Sequence, residues 1–440
     1  MSSLADRLRG MLGPATRSVD RSEDPPLDLR DVRTAGADAA EILGGEWRES
    51  RGRRFLVVER KYSPGYRHGR VTIADCLPPW RRLHLLTSRA NVTDVASSPD
   101  GCSPQRTLFI DLETTGLAGG AGTYAFLVGC GWFEPTSTSA ASTQVACFRT
   151  RQFFLSDFGG ERALLEAVGE LAANLACVVT YNGKTFDLPL LETRFSLQRM
   201  PTPFADVAHV DMLHPARRMW REEEVECRLT YLEQALCGHE RDADVPGFEI
   251  PSRYFQYVRS GDPRPLAAVL EHNRLDIVSL AMLTARAAQL LEEGASGAIS
   301  AREAFGLGRL YERAGLAADA LISYRRAACG TTSAIRIEAL RSAAVVLRRL
   351  RRYHEAADAW RDLLATPHCP ALYEREANEA LAVHHEHRVR DLETARSFAM
   401  QSLRLHATPA REQATKHRLA RLDRKLRFGP PVSPRSAALF

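Results

Sequence analysis

The central part of the chain alternates between two kinds of hydrophobic pattern, and this alternation restricts the fold more than any other feature. Short apolar runs typical of buried strands lie at 107–111, 125–133, 145–155, 177–181 and 207–211. Patterns typical of amphipathic helices lie at 160–175, 186–198, 229–237 and 265–292. Three strands in succession, followed by strands that alternate with helices, predict an α/β domain over residues 107–293 with a mixed sheet flanked by helices.

After this region the strand patterns stop, and small and large residues recur at a repeated spacing. The first unit contains Ala320 and Tyr324, and Ala356 and Trp360 occupy equivalent positions 36 residues further on. Small residues allow two helices to approach closely, and aromatic side chains fill the space towards the next unit. The pattern is typical of tetratricopeptide repeats and predicts an all-α repeat domain over residues 301–425, with an ordinary helical bundle as the alternative.

The segment before the α/β region shows two different patterns. Residues 1–40 are polar and predict a flexible N-terminal tail. Residues 41–100 contain β-like runs at 55–59 and 71–75, and they predict a small β-rich extension. The sequence suggests no function for this extension.

The composition is typical of a soluble globular protein. Of 440 residues, 26% are charged and 45% are hydrophobic, and no apolar run approaches the ~20 residues that cross a bilayer. The N-terminus lacks the apolar region of a signal peptide, and the nine cysteines are scattered without a CxxC pair. We therefore expect a cytoplasmic protein with no membrane partner.

Positive charge is concentrated towards the C-terminus. The net charge of the chain is +5, whereas residues 301–440 contain 25 basic and 15 acidic residues. A basic region beside a slightly acidic one is compatible with a polyanionic partner but does not require one.

The segment TLFIDLETTGL ends an apolar strand with two carboxylates, Asp111 and Glu113. Residues i and i+2 of a strand point to the same face, so these side chains lie about 7 Å apart. Two close carboxylates raise each other's proton affinity unless a cation lies between them, and hard oxygen ligands suit Mg²⁺ or Mn²⁺. Surface strands also carry this pattern by chance.

Two further segments place polar residues in contexts that suit the same site. CVVTYNGKTFDLPLLETRF puts Asp187 at the start of an apolar helix, where capping of the helix is the alternative role. LEHNRLDIVSLAMLTARA puts His272 and Asp276 four residues apart on one helix face, where a surface hydrogen bond is the alternative. Together the three segments favour one composite metal site.

The segments FIDLETTGL, YNGKTFDLPLL and HNRLDIVSL resemble the three motifs of the DEDD exonucleases, whose fold is ribonuclease-H-like. Within this superfamily the sequence is most similar to the bacterial YprB-like proteins with a ribonuclease-H-like domain, some of which carry tetratricopeptide repeats. The resemblance covers about residues 107–293 and, more loosely, the repeats.

This resemblance implies a metal-dependent 3′–5′ exonuclease with a two-metal mechanism. Asp111, Glu113, Asp187 and Asp276 would be the ligands of two Mg²⁺ or Mn²⁺ ions, and His272 would orient or deprotonate the attacking water. His272 stands four residues before Asp276, a spacing that the family has with Tyr.

Five residues near the motifs are candidates for substrate binding: Thr114, Thr115, Asn182, Arg217 and Arg218. Hydroxyl groups suit the sugar or phosphate at the 3′ end of a strand, and arginines suit phosphates, although a solvated surface explains the two arginines equally well. We expect the substrate to be RNA or DNA with a single-stranded end, and we expect a protein partner to bind the helical repeats.

A non-catalytic adaptor is the alternative function. In that case the exonuclease-like fold would only bind nucleic acid or protein, and the helical repeats would recruit a partner. A proofreading subunit of a DNA polymerase is less favoured, because the chain contains no polymerase region.

Overall fold

The structure is a computed structural model that describes residues 39–77, 80–87, 103–116, 122–135, 146–221, 227–330, 332–405 and 408–428. Its strands are β1 (Glu46–Ser50), β2 (Arg53–Tyr62), β3 (Arg67–His68), β4 (Val71–Thr72), β5 (Thr107–Thr114), β6 (Ala125–Pro135), β7 (Ala146–Phe154), β8 (Cys177–Thr180) and β9 (Ala208–Asp211). Seven of these strands form one sheet in the order β1-β2-β7-β6-β5-β8-β9, and β3 pairs with β4. All but the last two residues of the predicted tail at 1–40 lie outside the described residues.

The helices of the α/β region are α1 (Glu161–Ala172), α2 (Asp187–Leu197), α3 (Leu213–Met219), α4 (Leu229–Leu232), α5 (Ile250–Ser260) and α6 (Ala267–Glu293). Strands β5, β6 and β7 form an antiparallel meander, whereas β8 runs parallel to β5 and β9 runs parallel to β8. Parallel neighbours need crossover connections, which α1 and α2 supply. The carboxyl ends of β5 and β8 therefore lie at the same edge of the sheet.

The strands that precede β5 continue this sheet. β2 pairs antiparallel with β7, and β1 pairs with β2, so both strands extend the sheet at the edge opposite β9. The run predicted at 55–59 lies within β2. The boundary predicted between the extension and the α/β domain is therefore crossed by continuous strand pairing.

The strand predicted at 71–75 ends earlier than expected. β4 stops at Thr72, and a 3₁₀ turn follows over Ala74–Cys76. The carboxylate of Asp75 accepts hydrogen bonds from the backbone N–H and the hydroxyl of Thr72 at 2.8 and 2.7 Å. This side-chain bond to a nearby backbone group competes with strand pairing.

The two faces of the sheet pack against two separate apolar cores. Leu108 and Ile110 of β5 pack with α1, α2 and α5, whereas Phe109 packs with α3, α4 and α6 on the other face. Successive side chains of a strand alternate between faces. Asp111 and Glu113 therefore continue the Phe109 face, which α6 covers.

Helix α6 approaches β6 closely because the strand has glycine at two positions that face the helix. A Cβ at Gly129 would lie 2.2 Å from Oδ1 of Asn273 and 2.5 Å from Cδ1 of Ile277. A Cβ at Gly131 would lie 2.4 Å from Cγ2 of Ile277. The absence of side chains at these two positions lets α6 lie against the strand that pairs with β5.

The helices of the C-terminal region are α7 (Ala301–Arg313), α8 (Ala317–Ala328), α9 (Ser333–Arg349), α10 (Tyr353–Leu364), α11 (Ala371–His384), α12 (Leu392–Leu403) and α13 (Pro409–Phe428). Each packs against the next along the chain. Ala320, Tyr324, Ala356 and Trp360 are buried, as the repeat pattern requires. The predicted fold class, an α/β domain followed by an all-α region, is confirmed, whereas the assignment to tetratricopeptide repeats stays a prediction.

The helical region is joined to the α/β region through a shared apolar core. Nε1 of Trp220 donates a hydrogen bond to Oε1 of Glu303 on α7 at 2.8 Å, and Arg286 of α6 donates to Oε2 of the same carboxylate at 2.9 Å. A Cβ at Gly306 would lie 2.4 Å from the carbonyl oxygen of Arg218, so α7 lies directly against the end of α3.

Among the described helices, none combines the length and the apolar composition that a membrane crossing requires.

Candidate active site

The five residues predicted to be catalytic line one cavity at the edge of the sheet. Its volume is about 380 Å³, and its walls come from the end of β5, the start of α2, the start of α5 and the middle of α6. Asp111 and Glu113 come from β5, Asp187 comes from α2, and His272 and Asp276 come from α6. The fold thus brings three distant segments of the sequence into one site.

Asp111 is held in place by an amide from α6. Its neighbour on the paired strand is Gly129, which leaves the space that the side chain of Asn273 occupies. Nδ2 of Asn273 donates to the main-chain oxygen and to Oδ2 of Asp111 at 3.1 and 2.8 Å. Oδ1 of Asn273 in turn accepts a hydrogen bond from Gln152 at 2.9 Å. A fully buried amide therefore orients Asp111.

Asp187 is positioned by the loop that follows β8. Oδ1 of Asp211, at the end of β9, accepts a hydrogen bond from the backbone N–H of Asn182 at 2.8 Å and so holds this loop. Gly183 is required because a Cβ there would lie 2.5 Å from Oδ2 of Asp187. Asp187 is the first residue of α2, and its predecessor Phe186 occupies the N-cap position, so Asp187 is not the cap residue.

His272 connects the cavity to an acid on a neighbouring loop. Its Nδ1 lies 2.6 Å from Oδ1 of Asp244, and its Nε2 lies 3.6 Å from Oδ2 of Asp276 and 4.0 Å from Oε1 of Glu113. A carboxylate oxygen can only accept, so Nδ1 carries the proton of the neutral ring. Nε2 is then the acceptor that faces the carboxylates of Glu113 and Asp276.

A buried arginine adds one positive charge beside these acids. Arg241 donates to Oδ1 of Asp276 at 2.5 Å, to Oδ2 of Asp244 at 3.2 Å and to Oε2 of Glu233 at 2.6 Å. Its side chain is only 5% exposed. One guanidinium group therefore binds three acids, and it leaves Oδ2 of Asp276 on the side of His272.

Burial and mutual repulsion raise the proton affinity of the clustered acids. Burial is the main cause that raises the pKa of Asp111 and of Glu113 well above the usual range, and neighbouring carboxylates add to the rise. Burial and the charge of Asp211 raise the pKa of Asp187 to about 7. Burial also raises the pKa of Asp276, although Arg241 and then His272 oppose the rise.

This set of donors fits divalent cations of the Mg²⁺ or Mn²⁺ type. Carboxylates supply the hard oxygen ligands that these ions prefer. A cation would also offset the repulsion that raises the pKa values of the buried acids. The residues that would hold it are Asp111, Glu113, Asp187 and Asp276.

The threonines and the asparagine predicted to bind substrate occupy different positions. Thr114 lines the cavity, and its hydroxyl donates to the backbone oxygen of Gly116 at 3.0 Å. The hydroxyl of Thr115 accepts from the backbone N–H of Tyr124 at 3.0 Å, so it joins β5 to the start of β6. Asn182 has a φ of 65° and helps to form the loop that precedes Asp187.

Arg217 and Arg218 lie on α3 and do not line the cavity. Arg217 is exposed. Arg218 is half-buried beside Arg309 and Arg313 of α7, and burial together with these two cations lowers the pKa of its guanidinium group. Arg218 therefore contributes to a basic surface at the junction of α3 and α7.

Three residues of the site were not predicted from the sequence: Asn273, Arg241 and Asp244. Asn273 lies inside the motif HNRLDIVSL, one helical turn before Asp276, so a helical projection of that motif could have identified it. Arg241 and Asp244 lie in an irregular loop before α5, where no local pattern distinguishes them from surface residues.

The mixed sheet flanked by helices over residues 108–288 is consistent with a ribonuclease-H-like fold, which is a nuclease-type fold. The family model of the RNase H superfamily matches this range, which contains the whole carboxylate cluster. The chain is also similar to a protein of Bacillus subtilis (strain 168) described as "Uncharacterized protein YprB". The two are 28% identical over 375 residues, which cover 84% of this chain and 86% of the relative. The similarity therefore extends well beyond the nuclease-type domain.

Proposed function

We propose that the protein is a metal-dependent nuclease that hydrolyses phosphodiester bonds of nucleic acid, and that it is a 3′–5′ exonuclease. The observation that carries the proposal is the convergence of Asp111, Glu113, Asp187 and Asp276 on one cavity beside His272. The match of residues 108–288 to the RNase H superfamily supports a nuclease-type chemistry. The 3′–5′ direction rests on the resemblance of the three motifs to those of DEDD exonucleases.

Two Mg²⁺ or Mn²⁺ ions bound by the four carboxylates would lower the pKa of the attacking water and stabilise the leaving oxygen. The side chains of the protein keep the ligands in position. Asn273 fixes one oxygen of Asp111, Arg241 fixes one oxygen of Asp276, and the loop bound to Asp211 fixes Asp187.

In this proposal His272 accepts the proton of the attacking water. Its Nδ1 is bonded to Asp244, so Nε2 is the free acceptor, and Nε2 faces the side chains of Glu113 and Asp276. The bond to Asp244 also fixes the orientation of the ring, so that Nε2 keeps facing these two carboxylates. General-base catalysis of this kind contributes about 10²–10⁴-fold to a rate.

For the substrate, we propose the 3′ end of a single strand of RNA or DNA. The end would enter the cavity past Thr114, and the following phosphates would extend towards Arg217 and Arg218. Arg309 lies beside Arg218, so the first helix of the C-terminal region would contribute to the same basic surface. Thr115 and Asn182 shape the cavity through the strand pair and the loop described above.

We also propose that the helices of residues 301–425 are tetratricopeptide-like repeats that bind a protein partner, and that the protein acts in the cytoplasm. The buried small and aromatic residues at equivalent positions support the repeats. Basic residues outnumber acidic residues after residue 300, so this region would attract a partner with an acidic surface or the phosphates of nucleic acid.

The test is cleavage of end-labelled single- and double-stranded RNA and DNA by the purified protein with Mn²⁺ or Mg²⁺. We expect Asp111→Asn to reduce the rate by at least about 10³-fold, because it removes one charge and one oxygen ligand from the metal site. Asp206→Asn, which changes an exposed carboxylate of the same domain, is the matched control and should retain the rate.

A fully active Asp111→Asn protein would contradict the assignment of the site. If the wild-type protein bound nucleic acid but cleaved none of the four substrates with either metal, the adaptor function would be correct instead.

A further inference from the structure

A chain of buried polar side chains connects the N-terminal hairpin β3–β4 to Asp276. His68 belongs to β3, Glu233 begins a π-helical segment at Glu233–Cys237, and Arg241 lies in the loop that follows. The side chains of these three residues are 0%, 1% and 5% exposed. None of them lines the cavity.

Each link of this chain is a short hydrogen bond. Nε2 of His68 donates to Oε1 of Glu233 at 2.6 Å, and the hydroxyl of Ser279 donates to the same oxygen at 2.5 Å. Nε of Arg241 donates to Oε2 of Glu233 at 2.6 Å, and the same guanidinium donates to Oδ1 of Asp276 at 2.5 Å. Burial alone would raise the pKa of Glu233, but the bonds from His68, Arg241 and Ser279 lower it, so Glu233 is an anion.

The hairpin is seated firmly on the segment that carries Glu233. The backbone N–H of Arg70 donates to the carbonyl oxygen of Cys237 at 2.7 Å, and its guanidinium donates to the carbonyl oxygen of Ala235 at 2.7 Å. A Cβ at Gly69 would lie 2.2 Å from the oxygen of Cys237, and the φ of Gly69 is 62°, so only glycine allows this approach. The hairpin thus holds His68 in position against Glu233.

We propose that His68 and Glu233 are positioning residues that hold Arg241 as a resident cation of the active site, and that Arg241 orients Asp276 for catalysis. The catalytic part of this inference rests on the proposed function. Arg241 occupies Oδ1 of Asp276, so Oδ2 lies on the side of His272 and would be the oxygen that binds a divalent metal ion. The hairpin before the nuclease-type domain is therefore part of the support of the active site.

A metal bound directly by His68, Glu233 and His239 is the alternative, because one donor atom from each lies within 4.8 Å of the others. However, the two imidazole rings are stacked, with centroids 4.0 Å apart and planes at 26°. Their nitrogen lone pairs lie in these nearly parallel planes and do not converge on one ion. Both oxygens of Glu233 are also already bonded.

The first test is a double-mutant cycle on thermal stability in the presence of a chelator, which needs neither metal nor activity. Arg241→Met is combined with Glu233→Gln, so that Glu233 is not left as a buried charge without its cation. We expect this variant to lose roughly 5 °C or more in Tm, because Asp276 then faces the other acids without a cation. Adding Asp276→Asn should recover most of the loss, whereas Asp276→Asn alone should not raise the Tm.

A matched control for this cycle is the exposed ion pair Arg325–Glu355, whose nitrogen and oxygen are 2.9 Å apart and whose side chains are 59% and 42% exposed. Arg325→Met and Glu355→Gln should give additive, small changes in Tm. If Asp276→Asn changed the Tm equally with and without Arg241, the two residues would be uncoupled and the proposal would be wrong.

The second test compares Mn²⁺ affinity, measured by calorimetric titration, with the cleavage rate. In the Arg241→Met/Glu233→Gln protein the rate should fall by about 10–100-fold, because the orientation of Asp276 is lost. The Mn²⁺ affinity should not weaken, because a positive charge has left the site. Arg241→Lys should recover part of the rate. A parallel fall in affinity, rate and Tm would instead show general support of the fold, and it would contradict the proposal.

The contribution of the hairpin is tested with His68→Gln and His68→Leu. Gln keeps a side-chain donor for Glu233 and should retain more of the rate than Leu, which keeps none. Equal rates for the two variants, or zinc that copurifies and is lost in His239→Ala, would contradict the hydrogen-bonded chain. If the Tm cycle shows coupling but the wild-type protein cleaves no nucleic acid, the positioning chain stands and only the proposed nuclease function fails.

Discussion

Nδ1 of His272 lies 2.6 Å from Oδ1 of Asp244, although the two residues belong to different elements, helix α6 and an irregular loop. The same carboxylate is bound by Arg241 through Oδ2 at 3.2 Å. Asp244 therefore connects the imidazole to the guanidinium that holds Asp276. The orientation of His272 depends on a loop that the three sequence motifs do not include.

We predict that Asp244→Asn lowers the cleavage rate by about 10–100-fold, because the amide can present its NH₂ group to Nδ1 and favour the wrong tautomer. His272→Ala should lose about 10²–10⁴-fold. The double variant should be no slower than His272→Ala alone, because Asp244 acts through the imidazole. The cleavage rates of the two single variants and the double variant are compared at saturating Mn²⁺ and at one pH. If the fold-loss of the double variant equalled the product of the two single losses, Asp244 would act independently of His272.

The raised pKa of Asp187 predicts how the stability of the metal-free protein depends on pH. The folded chain binds this proton more tightly than the unfolded chain, in which an aspartate titrates near ~3.9. The stabilisation that comes from protonated Asp187 is therefore complete below the pKa of the unfolded chain. It is lost as the pH rises through about 7, the pKa of Asp187 in the folded protein. Asp111 and Glu113, whose pKa values are also raised, act in the same direction.

We expect the Tm in a chelator to fall between pH 5 and pH 8, and Mn²⁺ or Mg²⁺ to restore it at pH 8. Asp187→Asn should reduce this slope, because the amide does not titrate. Asp206→Asn, at an exposed position, should leave the slope unchanged. A Tm that rises from pH 5 to pH 8 without metal would contradict the raised pKa values.

Gly129→Ala should affect both the fold and the site. The new methyl group would lie 2.2 Å from Oδ1 of Asn273, the amide that orients Asp111, and 2.5 Å from Cδ1 of Ile277. We expect a loss of about 1–3 kcal/mol in the free energy of unfolding, since overpacking forces α6 away from the sheet. The cleavage rate should fall as well.

The matched control for this substitution is Gly65→Ala, because no atom lies within 4 Å of its new Cβ. Urea denaturation of both variants, with rates measured where each is fully folded, separates the two effects. A Gly129→Ala protein with normal stability would show that α6 does not press on β6 at this position.

A chain that ends at residue 295 should be much less stable than the full chain. This cut removes Glu303, the partner of Trp220 and Arg286, and it exposes the apolar surface that α7 covers. A chain that ends at residue 405 lacks only α13 and the residues after it, and should keep its Tm within a few degrees. The Tm values of the two shortened chains are compared by thermal denaturation with a dye that binds exposed apolar surface. Equal Tm values would show that α7 is dispensable for the stability of the core.

Much of the α/β fold could be predicted because its elements depend on local burial. The runs that became β5 to β9 and the patterns that became α1, α2 and α6 were located from apolar periodicity, with ends that differ by a few residues. The length of the strand predicted at 71–75 was overestimated, because the hydrogen bond from Thr72 to Asp75 ends β4. The pairing of β2 with β7 was not predicted, because strand partners are set by packing across the whole domain.

The sequence by itself determined which acids come together in the candidate site. Asp111, Glu113, Asp187 and Asp276 follow from the alternation of strand residues, the start of a helix and the helical spacing from His272. These are local rules, so no knowledge of distant contacts was needed. Together these three segments favoured one composite site, and their resemblance to the motifs of the DEDD exonucleases implied the same set of four ligands.

Only the tertiary structure decided how these acids are held and balanced. Asn273 reaches Asp111 because Gly129 leaves room on a different strand, and Arg241 reaches Asp276 from a loop that Glu233 and His68 anchor. The free energy of a buried charge or amide depends on every group that surrounds it, and those groups come from distant parts of the chain. No local pattern encodes such a set, so the positioning of the site is a property of the fold.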